Sequence, residues 1–266
     1  MIAETLLGAG VLAGGGIAAG RWRRRALYGE LARKIETASA ASLAQFRYGE
    51  GRAIPDFGDK ICHADNFLPS ADFEHLRALC ERHVASERSY VPAHKKGGTI
   101  AFETIAGNTP EIACFYRSRG LLDYVSSVTG LALQPTPLGD QSSLSILFYD
   151  RPGDHIGWHY DHNFYRGRHF TALLPLVNRG HGENGLSHAT LWARAGGREF
   201  AIATPPNRYI LFEGAVVHHK VTPVAEGERR LVLSMTFCVD PRNFWWQGAA
   251  RRIKDTAFFG LRALWT

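Results

Sequence analysis

The side chains best suited to carry chemistry lie in two short segments far apart in the chain. Residues 157–161 read GWHYD, and residues 218–229 read HHKVTPVAEGER. Together they offer imidazole, carboxylate and guanidinium groups. Two His and one carboxylate on one face of a metal ion leave the opposite face open for oxygen chemistry, and a guanidinium can bind a carboxylate through two parallel hydrogen bonds. The pattern therefore indicates a non-haem iron site with an anchor for a dicarboxylate.

His159 and Asp161 can reach one ion from a single strand. They are separated by one residue, and residues i and i+2 of a β-strand point to the same face. Residues 144–149 read LSILFY, which is rich in strand formers, and Pro152-Gly153 marks a turn before the next run. We therefore predict His159 and Asp161 as two of the metal ligands.

The third ligand must come from elsewhere in the chain, and His218 and His219 both qualify. On a strand, His218 shares a face with Lys220 and Thr222, which prefer water. His219 shares the opposite face with Val221, so it is expected to point inward. Alternation therefore favours His219 as the ligand, with His218 as the alternative.

The same alternation argument chooses between Arg229 and Arg230. The residues in phase with Arg229 are apolar: Leu231, Leu233 and Met235. The residues in phase with Arg230 are more polar: Val232, Ser234 and Thr236. An isolated charge on a buried apolar face is costly and needs a partner, which a co-substrate carboxylate would supply. We therefore predict Arg229 as the anchor.

The order of these residues resembles the Fe(II)/2-oxoglutarate-dependent dioxygenase superfamily. Residues 219–229 follow the pattern His-x-Val-x-Pro-Val-x-x-Gly-x-Arg, which is similar to the prolyl 4-hydroxylase-like branch, as is the DNFL of residues 65–68. The resemblance covers roughly residues 60–240. It implies iron bound by the two His and the Asp, Arg229 on the distal carboxylate of 2-oxoglutarate, and Tyr149 as a further co-substrate contact.

The resemblance also implies a reaction. Fe(II) would be the cofactor, with 2-oxoglutarate and O2 as co-substrates, and hydroxylation of a C–H bond is the default outcome. Related halogenases carry a small residue in place of the carboxylate, so Asp161 favours hydroxylation. A zinc- or manganese-dependent enzyme with the same ligands is an alternative, because ligand type does not fix the metal.

The net charge of +6 is concentrated in the two flanks of the chain. Residues 21–52 hold eight Arg or Lys against three Glu, and residues 242–266 hold five against one Asp. A core without net positive charge argues against a nucleic-acid groove, whereas basic flanks are typical of surfaces that approach anionic lipid. We therefore expect no nucleic-acid partner. The four cysteines form no C-x-x-C pair, which favours reduced thiols.

The N-terminal segment is a candidate membrane anchor. Residues 5–20 carry no charge and are rich in Gly, and four Arg follow within residues 21–25. A signal peptide would carry its charge before the apolar stretch, and the positive-inside rule places residues from 21 onward in the cytoplasm. As a helix the stretch measures about 24 Å against about 30 Å of bilayer core, so a buried or flexible arm is the alternative. Two Gly-x-x-x-Gly patterns suggest a homodimer through this helix.

The expected fold is mainly β with flanking helices (α+β), in which N-terminal helices and a C-terminal helix surround a double-stranded β-helix (jelly roll) core. The expected divisions are an anchor with a basic flank over 1–25, a helix and linker over 26–58, the oxygenase domain over 59–241, and an aromatic, basic helix over 242–266. A helix from Ser70 and another from Pro110, with a possible break at Gly120, are expected in the domain. Residues 94–98 are expected to form a basic loop that overhangs the site.

The predicted activity is hydroxylation of a membrane-associated or lipophilic small molecule, lipids included. Trp and Arg together in residues 242–266 suit a membrane interface, although a helix packed on the outside of the barrel is equally consistent. A peptidyl (prolyl-type) hydroxylase is the first alternative. A non-catalytic, membrane-tethered binding protein on the same fold is the second, and loss of 2-oxoglutarate binding would favour it.

Overall fold

The computed structural model describes residues 2–40, 42–47, 53–82, 88–91 and 95–259, and the side chains of these residues other than 2–19, 42, 88–91, 257 and 258. The helices in this part of the chain are α1 (Ile2–Thr37), α2 (Ser70–Glu81), α3 (Phe102–Asn108), α4 (Pro110–Tyr116), α5 (Arg119–Thr129) and α6 (Trp245–Phe259). The strands are β1 (Ile61–Ala64), β2 (Arg88–Val91), β3 (Lys95–Ile100), β4 (Gln134–Pro135), β5 (Leu144–Tyr149), β6 (His155–His159), β7 (Arg166–Arg179), β8 (Leu191–Ala195), β9 (Arg198–Ile202), β10 (Tyr209–Glu213), β11 (His218–Val221) and β12 (Arg229–Asp240).

The strands form one continuous antiparallel sheet that curls into a jelly roll. Its order is β1-β10-β7-β12-β5-β3-β6-β11-β8-β9, with β2 added to β3 and β4 added to β12. The predicted fold class is confirmed: the molecule is mainly antiparallel β with flanking helices. Strands from both halves of the sequence alternate in the order, so residues far apart in the chain meet on one sheet.

Strand β12 is covered on both faces, but by different partners. One face carries apolar side chains that are fully buried against α2, α3, α4 and α5: Leu231, Leu233, Met235 and Phe237. The alternate side chains line the interior of the jelly roll: Arg230, Val232, Ser234 and Thr236. The helix-covered face is therefore the more apolar one, and the interior face, where the site lies, is the more polar one.

Several local expectations change in the structure. α1 continues across the predicted boundary at residue 25, and two short 3-10 turns at Ala38–Ala40 and Ser42–Gln45 replace the end of the expected helix. α2 begins at Ser70 as expected, but its cap residue is Pro69 and no side chain caps it. The break predicted at Gly120 lies instead between Tyr116 and Arg119.

Gly120 has a packing role inside α5. A Cβ built on it would lie 2.0 Å from the carbonyl oxygen of Phe46, so only Gly permits this approach of the N-terminal turns to the helix.

The sequence predicted a membrane anchor over residues 1–25. Within the described residues, no helix combines the length and apolar character that crossing a bilayer needs. The side chains of residues 2–19, on which the predicted Gly-x-x-x-Gly dimer contact depends, lie outside the description, so that contact stays a prediction.

Candidate active site

Strands β6 and β11 bring the two predicted His ligands together. In their antiparallel register His159 lies directly opposite His219, and the two imidazole centroids are 4.1 Å apart. His218, the alternative ligand, points to the other side of β11 and stacks between the rings of Trp158 and Tyr160, at 5.0 Å and 4.5 Å. Alternation along β11 therefore separates the two neighbouring His as expected.

Asp161 completes a group that can hold one metal ion. One possible ligand atom from each of His159, Asp161 and His219, together called the metal triad below, lies within 4.8 Å of the others. Asp161 Oδ1 is 3.6 Å from His159 Nε2 and 3.9 Å from His219 Nε2. These separations are too long for hydrogen bonds but leave room for an ion that all three atoms could bind.

Backbone carbonyls fix the tautomer of both imidazoles. His159 Nδ1 lies 2.8 Å from the Gly157 oxygen, and His219 Nδ1 lies 3.1 Å from the Val217 oxygen. A carbonyl accepts only from a protonated nitrogen, so in the neutral imidazoles each Nε2 keeps its lone pair for a metal. Metal-binding His residues use this arrangement generally.

The carboxylate of Asp161 is held in place from two sides. Thr171 on β7 donates its hydroxyl to Asp161 Oδ2 at 2.5 Å, and the Asp161 backbone N–H donates to the Gly214 oxygen at 2.9 Å. A Cβ built on Gly214 would lie 2.8 Å from Asp161 Cβ. Gly214 is therefore the residue type that lets the β10–β11 turn pass behind the carboxylate.

The protonation states in the group suit metal binding. Burial lowers the pKa of His219 to about 4, although Asp161 opposes this shift. Burial would raise the pKa of Asp161, but the neighbouring imidazoles of His219 and His159 and the Thr171 hydroxyl hold it well below its ordinary value. At neutral pH the group therefore offers a neutral imidazole and a carboxylate, the forms that bind metals.

The predicted anchor, Arg229, lies outside the site. Its Nη1 donates to Glu81 Oε1 on α2 at 3.0 Å, on the helix-covered face of the sheet. The alternation argument failed because it equated the apolar face of β12 with the interior that holds the site. The face that packs on helices is the apolar one, and Arg230 lies on the other.

Arg230 has the surroundings expected of a carboxylate anchor. It is 2% exposed, and its Nη2 donates to Thr204 Oγ1 at 3.0 Å. Its Nε and Nη1 are buried and have no hydrogen-bond partner. Leaving such donors unmet costs free energy, and burial also lowers the pKa of this guanidinium. A carboxylate bound at these two nitrogens would satisfy both.

Tyr149 lies between the anchor and the metal ligands. It pairs with Arg230 across β5 and β12, and the Arg230 guanidinium lies 5.8 Å from its ring centroid. Burial raises the pKa of Tyr149 to about 12, so the phenol keeps its proton and can donate. The structure therefore places Tyr149 in the wall of both cavities, where the family resemblance expects a co-substrate contact.

The candidate anchor and the candidate metal ligands line two cavities that share part of their walls. His159, Asp161 and His219 line a cavity of about 190 Å³, and Arg230 with Thr204 lines a smaller one beside it. Five residues line both: Leu147, Tyr149, Leu173, Leu191 and Val221. A dicarboxylate in this space could reach Arg230 at one end and a metal at the other.

Part of the cavity wall comes from outside the sheet strands that carry the triad. Lys95 on β3 lines it, as do Lys254 and Phe259 on α6. The expected basic loop over 94–98 is thus a strand from Lys95 onward, and residues 242–259 supply part of the pocket instead of only an outer surface.

Comparison with known proteins agrees with this geometry. Residues 144–237, which span every metal-ligand candidate, Tyr149 and Arg230, match the model of the 2OG-Fe(II) oxygenase superfamily. Residues 144–237 therefore form a 2OG-Fe(II) oxygenase domain. This oxygenase therefore uses Fe(II), 2-oxoglutarate and O2. None of the curated proteins matches its sequence.

Solved structures share the oxygenase's fold at low sequence identity. A prolyl-4-hydroxylase from Pseudomonas putida is 19% identical with a TM-score of 0.51, covering 70% of this chain and 95% of its own. A prolyl hydroxylase from Trichoplax adhaerens, in complex with a hypoxia-inducible-factor peptide, is 15% identical with a TM-score of 0.51, covering 79% and 92%. The α-ketoglutarate-dependent epimerase SnoN from nogalamycin biosynthesis is 12% identical with a TM-score of 0.55, covering 68% and 78%.

Sequence reasoning missed four residues of the oxygenase's candidate site: Thr171, Gly214, Arg230 and Lys254. A lone Thr among apolar residues of a long strand is a usable signal for Thr171. The sequence identified Arg230 as one of two candidate anchors, but it did not show which of the two adjacent arginines lies in the site. The remaining residues act through tertiary contacts that local spacing does not encode.

Proposed function

We propose that this oxygenase hydroxylates a C–H bond of a lipophilic small molecule. The observation that carries the proposal is the apolar wall of the cavity beside the metal triad, built by Ile156, Leu173, Leu191, Val221, Phe164 and Phe259. Sites of this kind recognise mostly apolar ligands and orient them with a few polar groups. Phe259 comes from α6, so the C-terminal helix would contact the substrate.

Each residue of the site has a role in this proposal. Fe(II) with 2-oxoglutarate and O2 supplies the oxidising chemistry when bound. His159, Asp161 and His219 hold the metal, and the Thr171 hydroxyl keeps one carboxylate oxygen turned away from it. Arg230 and Tyr149 hold the far carboxylate of 2-oxoglutarate, and the apolar wall excludes water from the reacting C–H bond.

A surface on α1 and α6 supports a substrate that is presented at a membrane. Trp22, Trp245, Trp246 and Ile253 are large apolar residues exposed there. Burial lowers the pKa of Arg252 on α6, and the charges of Arg24 and Arg21 on α1 lower it further, so basic residues of both helices lie near one another. Exposed Trp beside Arg suits an anionic lipid interface. We propose that this surface rests on the cytoplasmic side of a membrane.

A peptidyl hydroxylase is the second candidate. Two proteins of similar fold are prolyl hydroxylases, and one of them was solved with a peptide. Likeness at 19% and 15% identity shows the fold alone, so this candidate rests on that likeness and on no contact of this chain.

The test of the proposed co-substrate site is an anaerobic titration with Fe(II) and 2-oxoglutarate, followed by visible absorption. A charge-transfer band is expected in the wild type, lost in His219→Ala and weakened in Arg230→Gln. Arg229→Gln is the matched control, because its side chain pairs with Glu81 outside the cavity, and it should keep the band. A folded, iron-binding wild type without a band overturns the proposal.

Substrate class is tested by succinate release under O2. A fractionated lipid extract and a proline-rich peptide are compared at equal concentration. Stimulation by the lipid fraction, with an added oxygen atom in a product by mass spectrometry, supports the lipophilic substrate. Stimulation by the peptide alone selects the peptidyl hydroxylase instead.

A further inference from the structure

Two lysines outside the superfamily-matched residues line the same cavity as the metal triad. Lys95 on β3 is 4% exposed, and its ammonium donates to the Thr99 hydroxyl. Lys254 on α6 enters from the opposite end of the sequence. The matched residues 144–237 carry the metal and co-substrate groups, so side chains outside them are placed to define what this particular chain accepts.

Both ammonium groups are anchored by neutral or acidic partners that hold them at the cavity. Lys254 Nζ donates to Ser142 Oγ at 2.7 Å and lies 3.0 Å from Asp255 and 4.0 Å from Asp140. Burial lowers the pKa of Lys95 to about 8, and the charge of Lys254 lowers it further. The two positive charges therefore repel each other, and an anion within reach of both would relieve that repulsion.

The acidic groups of the cavity lining do not outnumber its ammonium groups. The lining holds two ammonium groups, Lys95 and Lys254, against the two carboxylates of Asp140 and Asp161. Asp255, 3.0 Å from Lys254 Nζ, lies outside the lining, and burial raises its pKa. A divalent metal and Arg230 beside it would add positive charge, which the two carboxylates of 2-oxoglutarate would offset in part, so an acidic group of a substrate would enter a site that is not negative.

We propose that the substrate carries an acidic group, a carboxylate or a phosphate, that binds between Lys95 and Lys254 while its apolar part lies along the wall toward the metal. This inference deepens the proposed function and rests on it. A lipophilic acid combines the two features that the cavity offers: apolar contact from Ile156, Val221 and Phe259, and two ammonium groups.

The test compares four probes with one eight-carbon chain: octanoate, octyl phosphate, octanol and octylamine. Dissociation constants are measured by calorimetry on the full chain, once loaded anaerobically with Fe(II) and 2-oxoglutarate and once metal-free. At least one acidic probe is expected to bind about tenfold tighter than octanol, as a hydrogen-bonded charge pair provides. The carboxylate and phosphate arms show which head group fits.

Variants then assign the effect to the two lysines. Lys95→Met and Lys254→Met are each expected to lose about tenfold in affinity for the acid and little for octanol, while Lys254→Arg keeps the preference. Lys96→Met is the matched control and should match the wild type, because Lys96 lies next to Lys95 on β3 but donates to the Pro152 oxygen and does not line the cavity. Thermal melts show that each variant is folded.

The outcomes separate this inference from the proposed function. Octanol binding as tightly as both acids, or an acid preference that survives both Lys→Met changes, overturns the acidic-group inference even where 2-oxoglutarate binds normally. Failure of 2-oxoglutarate binding overturns the proposed function, while the metal-free arm still measures the acid preference.

Discussion

Thr171 and Asp161 are joined by a hydrogen bond of 2.5 Å in which the hydroxyl donates to the carboxylate Oδ2. The bond leaves Oδ1 facing the two imidazoles, at 3.6 Å and 3.9 Å from their Nε2 atoms. Thr171 lies on β7 and Asp161 follows β6, so the bond ties the metal ligand to the opposite wall of the jelly roll. Because Oδ2 accepts from Thr171, Oδ1 is the carboxylate oxygen that faces the candidate metal position.

Removing this bond should weaken metal binding without unfolding the protein. Thr171→Val keeps the side chain's shape but leaves Asp161 Oδ2 without its donor, and loss of such an outer partner typically costs about 10- to 100-fold in metal affinity. Competition with a chromophoric chelator measures the affinity. Thr129→Val, which changes a hydroxyl on α5 that bonds to the Val125 oxygen, should leave it unchanged. Equal metal affinities for the two variants would show that the Thr171 hydroxyl does not support metal binding.

Gly214 should tolerate no side chain, because its Cβ position is already occupied. An alanine Cβ there would lie 2.8 Å from Asp161 Cβ and 3.2 Å from Asp161 Oδ2. Gly214→Ala should therefore displace the carboxylate, lower metal affinity by at least tenfold and destabilise the fold by about 1–3 kcal/mol. Chelator competition and urea unfolding measure the two effects.

The control for Gly214 lies on α1. Gly29 has nothing within 4 Å of its Cβ position, so Gly29→Ala should be neutral or stabilise the helix by up to about 1 kcal/mol. Gly214→Ala behaving like Gly29→Ala would show that the turn has room to move away from Asp161.

Metal binding should stabilise the oxygenase through His219 and not through its neighbour. At a free metal concentration about 100 times the dissociation constant, binding adds about 2.7 kcal/mol to the free energy of unfolding. A thermal melt with and without Fe(II) under anaerobic conditions should show this rise in the wild type and in His218→Ala. His219→Ala should show little or none. A full rise in His219→Ala, with none in His218→Ala, would make His218 the ligand.

The proximity of the three candidate metal ligands was predictable from sequence because each depends on local geometry. His159 and Asp161 are two residues apart near the end of one strand, and the outer face of β11 is open enough for His218 to stack on Trp158. The polarity of the residues that alternate along β11 therefore predicted correctly which side of the strand faces inward.

The candidate anchor for the co-substrate, Arg230, was not predictable in the same way. β12 is buried on both faces, and the more apolar face packs on helices while the polar one lines the site. Choosing between Arg229 and Arg230 needs the position of α2, which supplies Glu81. Lys254 is a similar case, because only tertiary packing shows that α6 reaches the cavity.

The exposed aromatic side chains of α6 give the last prediction. Trp245 is 87% exposed and Trp246 is 55% exposed, and burying such rings at a lipid interface is favourable, since apolar area leaves water. Changing both Trp245 and Trp246 to Ala should lower the partition coefficient onto vesicles of phosphatidylserine and phosphatidylcholine by at least about tenfold. Binding should also weaken with added salt, because Arg252 and its basic neighbours contribute through screened charge.

Cosedimentation with these vesicles measures the partition coefficient, and Ile54→Ala is the matched control. Ile54 is also 55% exposed but lies before β1, away from α6 in the sequence, so its loss should leave partitioning unchanged. The proposed membrane contact would be wrong if the wild type stayed in the supernatant at low salt. It would also be wrong if the double Trp variant partitioned onto vesicles as the wild type does. Neither result would bear on the candidate metal site, because Trp245 and Trp246 do not line its cavity.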